Sequence, residues 1–107
     1  MEDNERLIVE VRPRPTGAAV SLVGDLDSTT SSQLLGAAER AFAGHAGRDL
    51  VIDAAGLVFC DSVGISTLVQ LRQRSDTYGW TFRVEGVQPY VRRVLDLLGL
   101  LEYLNAE

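Results

Sequence analysis

The stretch Arg48–Ala54, RDLVIDA, constrains the fold more than any other part of the chain. Leu50, Val51 and Ile52 form an unbroken apolar run, as expected for a central strand covered on both faces rather than one wetted on alternate residues. The elements before and after it must supply that cover, and their patterning names them.

Upstream, Leu7, Val9 and Val11 alternate with Ile8, Glu10 and Arg12, the period of a half-buried strand. Pro13–Gly17 (PRPTG) supplies turn chemistry, and Ala18–Val23, apolar apart from Ser21, reads as the deeper second strand of a hairpin. In GDLDSTTSSQLLGAAERAFAG, Thr30 and Gln33 stand at capping-box spacing, Leu34, Leu35, Ala38, Ala41 and Phe42 share one helical face, and Gly44 ends the helix.

After the central strand, AAGLVFCD reads as a loop. A second helix runs from Val63 to about Arg74 on Ile65, Leu68 and Val69, with Leu71 flanking and Tyr78-Gly79 as the stop. WTFRVEG is a fourth strand with Trp80, Phe82 and Val84 on one side. QPYVRRVLDLLG is a third helix with Pro89 in its first turn, Gly99 past its end, and Val91, Val94, Leu95 and Leu98 as its buried stripe.

The remaining LLEYLNAE has room for one turn or a brief fifth strand. The order β-β-α-β-α-β-α defines an α/β domain: a mixed sheet of four strands, or five if the tail pairs, with helices mainly on one face. A length of 107 residues accommodates one domain, 1–107, with its core from about 7 to 104.

Composition narrows the function. A net charge of −5 works against polyanion binding, so nucleic acid is not expected as a direct ligand. The N-terminus lacks a basic segment followed by an apolar core, and no apolar stretch approaches the ~20 residues of a membrane span, so a cytoplasmic protein without membrane insertion is expected. Cys60 has no partner for an intrachain disulfide, and with the single His45 it offers no zinc constellation; neither metal nor cofactor is expected.

One short segment carries candidate chemistry. In VFCDSVGIS, Ser62 lies between Asp61 and Val63-Gly64 at the start of a helix. Its hydroxyl has three readings. It can cap the helix, accepting a bond from a backbone N–H. It can act as a nucleophile, but the one histidine lies after the first helix and the G-x-S-x-G elbow is missing. It can accept a phosphoryl group, adding about −1.5 to −2 charge at a helix N-terminus whose partial positive charge tolerates it.

VIDAAGLVFCDSVGISTLVQL resembles the central signature of STAS domains, specifically of the anti-sigma factor antagonists: a strand ending in Asp, a Gly-Leu loop, then Asp-Ser-x-Gly at a helix start. GDLD, Gly24–Asp27, resembles that family's turn after its second strand. Val63 and Ser66 depart from the commonest residues at their positions.

The resemblance implies a non-enzymatic partner switch, in which the unmodified protein binds a cytoplasmic anti-sigma factor and releases a sigma factor. It implies that this partner is a serine kinase which phosphorylates Ser62 and so breaks the complex, with a serine phosphatase as a further partner; ATP and magnesium would belong to the kinase. Asp61 precedes the phosphoacceptor, Asp25 and Asp27 shape the kinase-facing surface, and Gly64 allows close backbone approach. Val63, Ser66, Thr67, Gln70 and Arg74, at helical spacing on the side away from Ile65 and Leu68, complete the expected partner face. Asp25 and Asp27 are equally suited to capping the first helix. A STAS-like accessory subunit of a lipid or anion transporter, docking through the same helix, is the alternative. A small hydrolase or phosphotransferase would need a base or a phosphate-binding loop that the sequence lacks.

Overall fold

The computed structural model describes residues 6–106. Its elements are β1 (Leu7–Arg14), β2 (Gly17–Leu26), α1 (Ser31–Gly44), β3 (Asp49–Cys60), α2 (Ser62–Tyr78), β4 (Thr81–Glu85), α3 (Pro89–Leu97) and α4 (Leu100–Leu104). The sheet order is β1-β2-β3-β4, with β1 antiparallel to β2 and the β2–β3 and β3–β4 pairs parallel. This is the expected mixed four-stranded α/β domain. The tail forms α4, not a fifth strand, and no described helix is long and apolar enough to cross a membrane.

Register explains the two faces. Val11, Val20, Ile52 and Val84 are directly opposed across the four strands, and the last three are buried beneath the helices. The next row, Glu10, Ser21, Asp53 and Glu85, points the other way and is not buried. Val51 sits in an outward row yet is 2 % exposed. Its ladder neighbours are Ala19 and Arg83.

The expected loop AAGLVFCD is instead the second half of β3, pairing with β2 as far as Leu26↔Cys60. Two register shifts, between Ser21 and Val23 and between Gly24 and Asp25, change the phase of the strand. The inward residues therefore become Ala54, Leu57 and Cys60, three apart, a spacing that does not read as a strand. Asp53 does not end the strand; its Oδ1 accepts a bond from the Ala55 N–H within it.

Three local expectations change. Thr30 and Gln33 form no capping box: the Thr30 hydroxyl donates to the Asp25 carbonyl, and the Gln33 amide donates to Leu7 C=O on β1. Leu98 is exposed, because α3 ends at Leu97 and Gly99, in the left-handed region at φ 70°, turns the chain before Leu98 reaches the core. α2 runs four residues past Arg74, to Tyr78, where Gly79 at φ 77° closes it as expected.

Gly56 marks the crowded seam between β2 and β3. A Cβ there would lie 2.8 Å from Leu22 O and 2.8 Å from Val23 Cγ2. Gly56→Ala is expected to lower stability by about 1–3 kcal/mol through this overpacking, read as a lower urea midpoint at unchanged m-value. A loop at this position would tolerate the methyl group.

Candidate functional site

Ser62 begins α2 at the carboxyl end of β3, and GDLD lies alongside: Gly24–Leu26 is not a turn but the end of β2, and Asp61 N–H donates to Leu26 C=O at 3.2 Å. The two segments singled out in the sequence therefore meet at one end of the sheet. Gly64 makes the approach close, since a Cβ on it would stand 2.4 Å from Leu26 O and 2.9 Å from Cys60 Sγ.

The cap of α2 is Asp61, not Ser62. Asp61 Oδ1 accepts from Gly64 N–H at 2.8 Å, and the Asp61 carbonyl receives Ile65 N–H at 2.9 Å. Ser62 is thereby relieved of capping and sits exposed in the first turn. The partial positive charge of that helix end offsets part of any negative charge added to it.

Around Ser62 the expected partner face divides. Ser62, Val63, Ser66 and Gln70 are exposed along one side of α2. Thr67 is 4 % exposed, with its hydroxyl donating to Val63 C=O inside the helix, and Gly64 is buried against Leu26, so both are packing residues. Arg74 is half-buried and bonded to Glu39 of α1, which fixes it to the neighbouring helix.

The two aspartates of GDLD also separate, Asp25 within β2 and Asp27 just past its end. Asp25 is half-exposed, pairs in register with Phe59 and lies 3.7 Å from Arg6 Nη2. Asp27 is buried and turned inward, ion-paired to Arg6, with Oδ1 accepting from the backbone N–H of Thr29 at 3.0 Å and of Thr30 at 3.2 Å. Asp27 thus orders the turn before α1, whose N-cap is Thr30, and neither caps the helix nor presents a carboxylate to a partner.

Sequence reasoning missed Val58 and Phe59. Both are exposed, at 56 % and 39 %, and with Val63 at 43 % they give the region around Ser62 an apolar surface. Their signal is present in the sequence, but reading the segment as a loop hid it; in a strand with Leu57 and Cys60 inward, they must face out.

The other candidate nucleophiles fit no reaction at Ser62. Burial, aided by the Asp61 carboxylate, pushes the Cys60 thiol up to about 12, leaving it protonated and inert near neutral pH. His45 follows α1, whose Phe42 packs edge-on to Tyr78 at the last turn of α2. It is therefore a whole helix away from Ser62, ~25 Å for seventeen residues, and cannot serve as its base. Among the described residues no group of His, Cys, Asp and Glu is placed to hold a metal ion.

Residues 9–104 match the family model described as Mlab, STAS domain, and the chain belongs to the STAS domain family. An anti-sigma factor antagonist from Mycobacterium paratuberculosis is similar in structure at a TM-score of 0.81 and 25 % identity, over 97 % of this chain and 87 % of that one. RsbS of Moorella thermoacetica, in a substituted form, aligns at 0.71 and 25 % identity, over 86 % of this chain and 78 % of its own. The Bacillus cell fate determinant SpoIIAA in its phosphorylated form shares the fold at 0.68 and 18 % identity, over 87 % and 85 % of the two chains.

The Thr29 hydroxyl, donating to Oδ1 at 2.8 Å, holds the Asp27 carboxyl below its ordinary value of 3.8; burial opposes this, and the Thr29 N–H, Arg6 and Thr30 reinforce it. A carboxyl depressed in the folded state contributes stability that is present above its unfolded value and is lost as pH falls through the folded one. Asp27→Asn is therefore expected to lower the urea midpoint at about pH 6, with the gap to the parent closing towards about pH 3. A gap that does not change with pH would show that the charge is not what holds the turn.

Proposed function

We propose that this chain is an anti-sigma factor antagonist that binds an anti-sigma factor with serine kinase activity and is switched off by phosphorylation of Ser62. The observation that carries the reading is the division of labour at the start of α2: Asp61 caps the helix, and the adjacent Ser62 hydroxyl is left exposed beside Val58, Phe59 and Val63. The structural likeness to an anti-sigma factor antagonist, and to a protein of this fold that exists in a phosphorylated form, supports it.

The physical logic is a change of sign on a small surface. An unmodified face offers apolar contacts and hydroxyls, which a partner can desolvate at low cost. A phosphoserine there adds about −1.5 to −2 charge, next to Asp61, and burying that charge without a cation opposite it is unfavourable. Because Asp61 alone supplies the cap, the modification leaves the helix end intact and acts on the interface. The contact residues in this reading are Ser62, Val63, Ser66 and Gln70 of α2, Val58 and Phe59 of β3, and Asp25; a serine phosphatase would reset the switch in the cytoplasm.

The test is binding of the cognate anti-sigma factor, identified by using the chain as bait in lysate from its source and then titrated as purified protein. Ser62→Ala is expected to bind within about threefold of the parent, and Ser62→Asp at least about tenfold more weakly, the equivalent of about 1.4 kcal/mol. With ATP and the kinase, the parent is expected to gain one phosphate that Ser62→Ala does not. Equal binding of a transport ATPase by parent and both variants would replace this reading with the transporter-subunit one.

A further inference from the structure

The two edges of the sheet are treated differently. At β4, the outward N–H of Val84 is bonded by Asn105 Oδ1 at 2.8 Å, and α4 lies along that edge. At β1, the Asp25 N–H to Arg6 C=O bond sets the ladder phase, so that Ile8, Glu10, Arg12 and Arg14 bond to β2, while Leu7, Val9, Val11 and Pro13 turn their backbone groups outward. Gln33 covers Leu7 C=O. Among the described residues nothing bonds the outward N–H or C=O of Val9 and Val11.

We infer that β1 is a self-pairing edge, at which a second copy of this chain adds its own β1 antiparallel, about a two-fold axis through Val11, to make one continuous sheet. Charge favours that register over those centred on Glu10 or Val9. Centred on Val11, each Glu10 lies directly opposite the partner strand's Arg12, twice per dimer, on the exposed face. Centred on Glu10, two glutamates would oppose each other; centred on Val9, Arg12 would oppose Arg6. Like charges directly opposed destabilise a ladder, and opposite charges support it.

The Val11-centred ladder makes two Val11 N–H to Val11 C=O bonds and two from Val9 N–H to Pro13 C=O. Pro13 has no N–H, so the ladder ends there, and because the two-fold uses each β1 edge once the pairing closes at two chains. On the helix side, the same register sets the Pro13 ring of one copy opposite Val9 of the other, at a groove of about 370 Å³ lined by Leu7, Val9, Ser32, Gln33, Gly36 and Arg40. Gly36 gives this groove independent weight. It stands in the middle of α1, where glycine is less stable than alanine, and a Cβ on it would meet only Arg40 Nη1 at 3.6 Å. The packing of its own chain does not need the missing side chain; a neighbouring strand entering the groove does.

Sedimentation velocity across a concentration series, on the parent, Glu10→Lys, Arg12→Glu and the doubly substituted chain, tests the inference. Glu10 and Arg12 are exposed, so these changes leave the core untouched. The expected result is a monomer–dimer equilibrium in the parent, a dissociation constant raised by roughly tenfold or more in each single variant, and recovery to near the parent value in the double variant, where lysine again faces glutamate. Gly36→Gln is expected to keep the fold and lose the dimer. A parent that stays monomeric throughout the series would overturn the inference. So would a dimer indifferent to the single reversals, or a double variant no better than the singles.

Discussion

The bond from Asp61 N–H to Leu26 C=O is the hinge-pin of the arrangement. It joins the end of β2 to the start of α2, and neighbouring features depend on the closeness it enforces. Gly64 must lack a side chain because Leu26 O is already there. Leu26 is fully buried because the helix start lies over it. GDLD lies beside the Asp-Ser segment because β2 and β3 stay paired to their ends, through Asp25↔Phe59 and Leu26↔Cys60. It is the last rung of the β2–β3 ladder, one peptide beyond the Leu26↔Cys60 pair, and it joins parts of the chain thirty-five residues apart.

Polar groups at this end of the molecule fall into two sets, according to whether their bonding capacity is used internally. Asp27, Thr30, Thr67 and one oxygen of Asp61 are spent on their own backbone or on neighbouring turns. Ser62, Ser66 and Gln70 are left facing solvent. The first set makes the surface rigid, and the second gives it something to offer. A modification confined to the second set changes what the surface can bind without disturbing what holds it in shape.

Much of this was legible in the sequence, for definite reasons. The apolar face of α1, Ile65 and Leu68 of α2 and the glycine ending α2 follow local rules that tertiary packing did not override. What escaped was set by nonlocal geometry. The phase of β3 after Asp53 depends on irregularities shared with β2, so Ala54, Leu57 and Cys60 look aperiodic in isolation. Asp61 and Ser62 are both good caps, and only the close approach at Gly64 and Leu26 shows which of them does the work. Gln33 left its capping box because Leu7 C=O, on a strand far earlier in the chain, was within reach. Helical spacing puts Arg74 on the expected partner face, but Glu39 of α1, distant in sequence, holds it. The two motifs were visible separately; that they touch was not.

At the opposite end of α1 and α2, Phe42 stacks edge-on between Tyr78 and Trp80, with ring centroids 4.9 and 5.2 Å away. Trp80 is the only tryptophan in the chain and is 8 % exposed. The molecule therefore carries a built-in fluorophore at the seam of its two long helices and a helix length from Ser62. Its emission reports whether those helices remain packed, and it is spatially separated from events at the serine. Integrity of the scaffold can therefore be followed optically while the surface at the serine is modified or occupied.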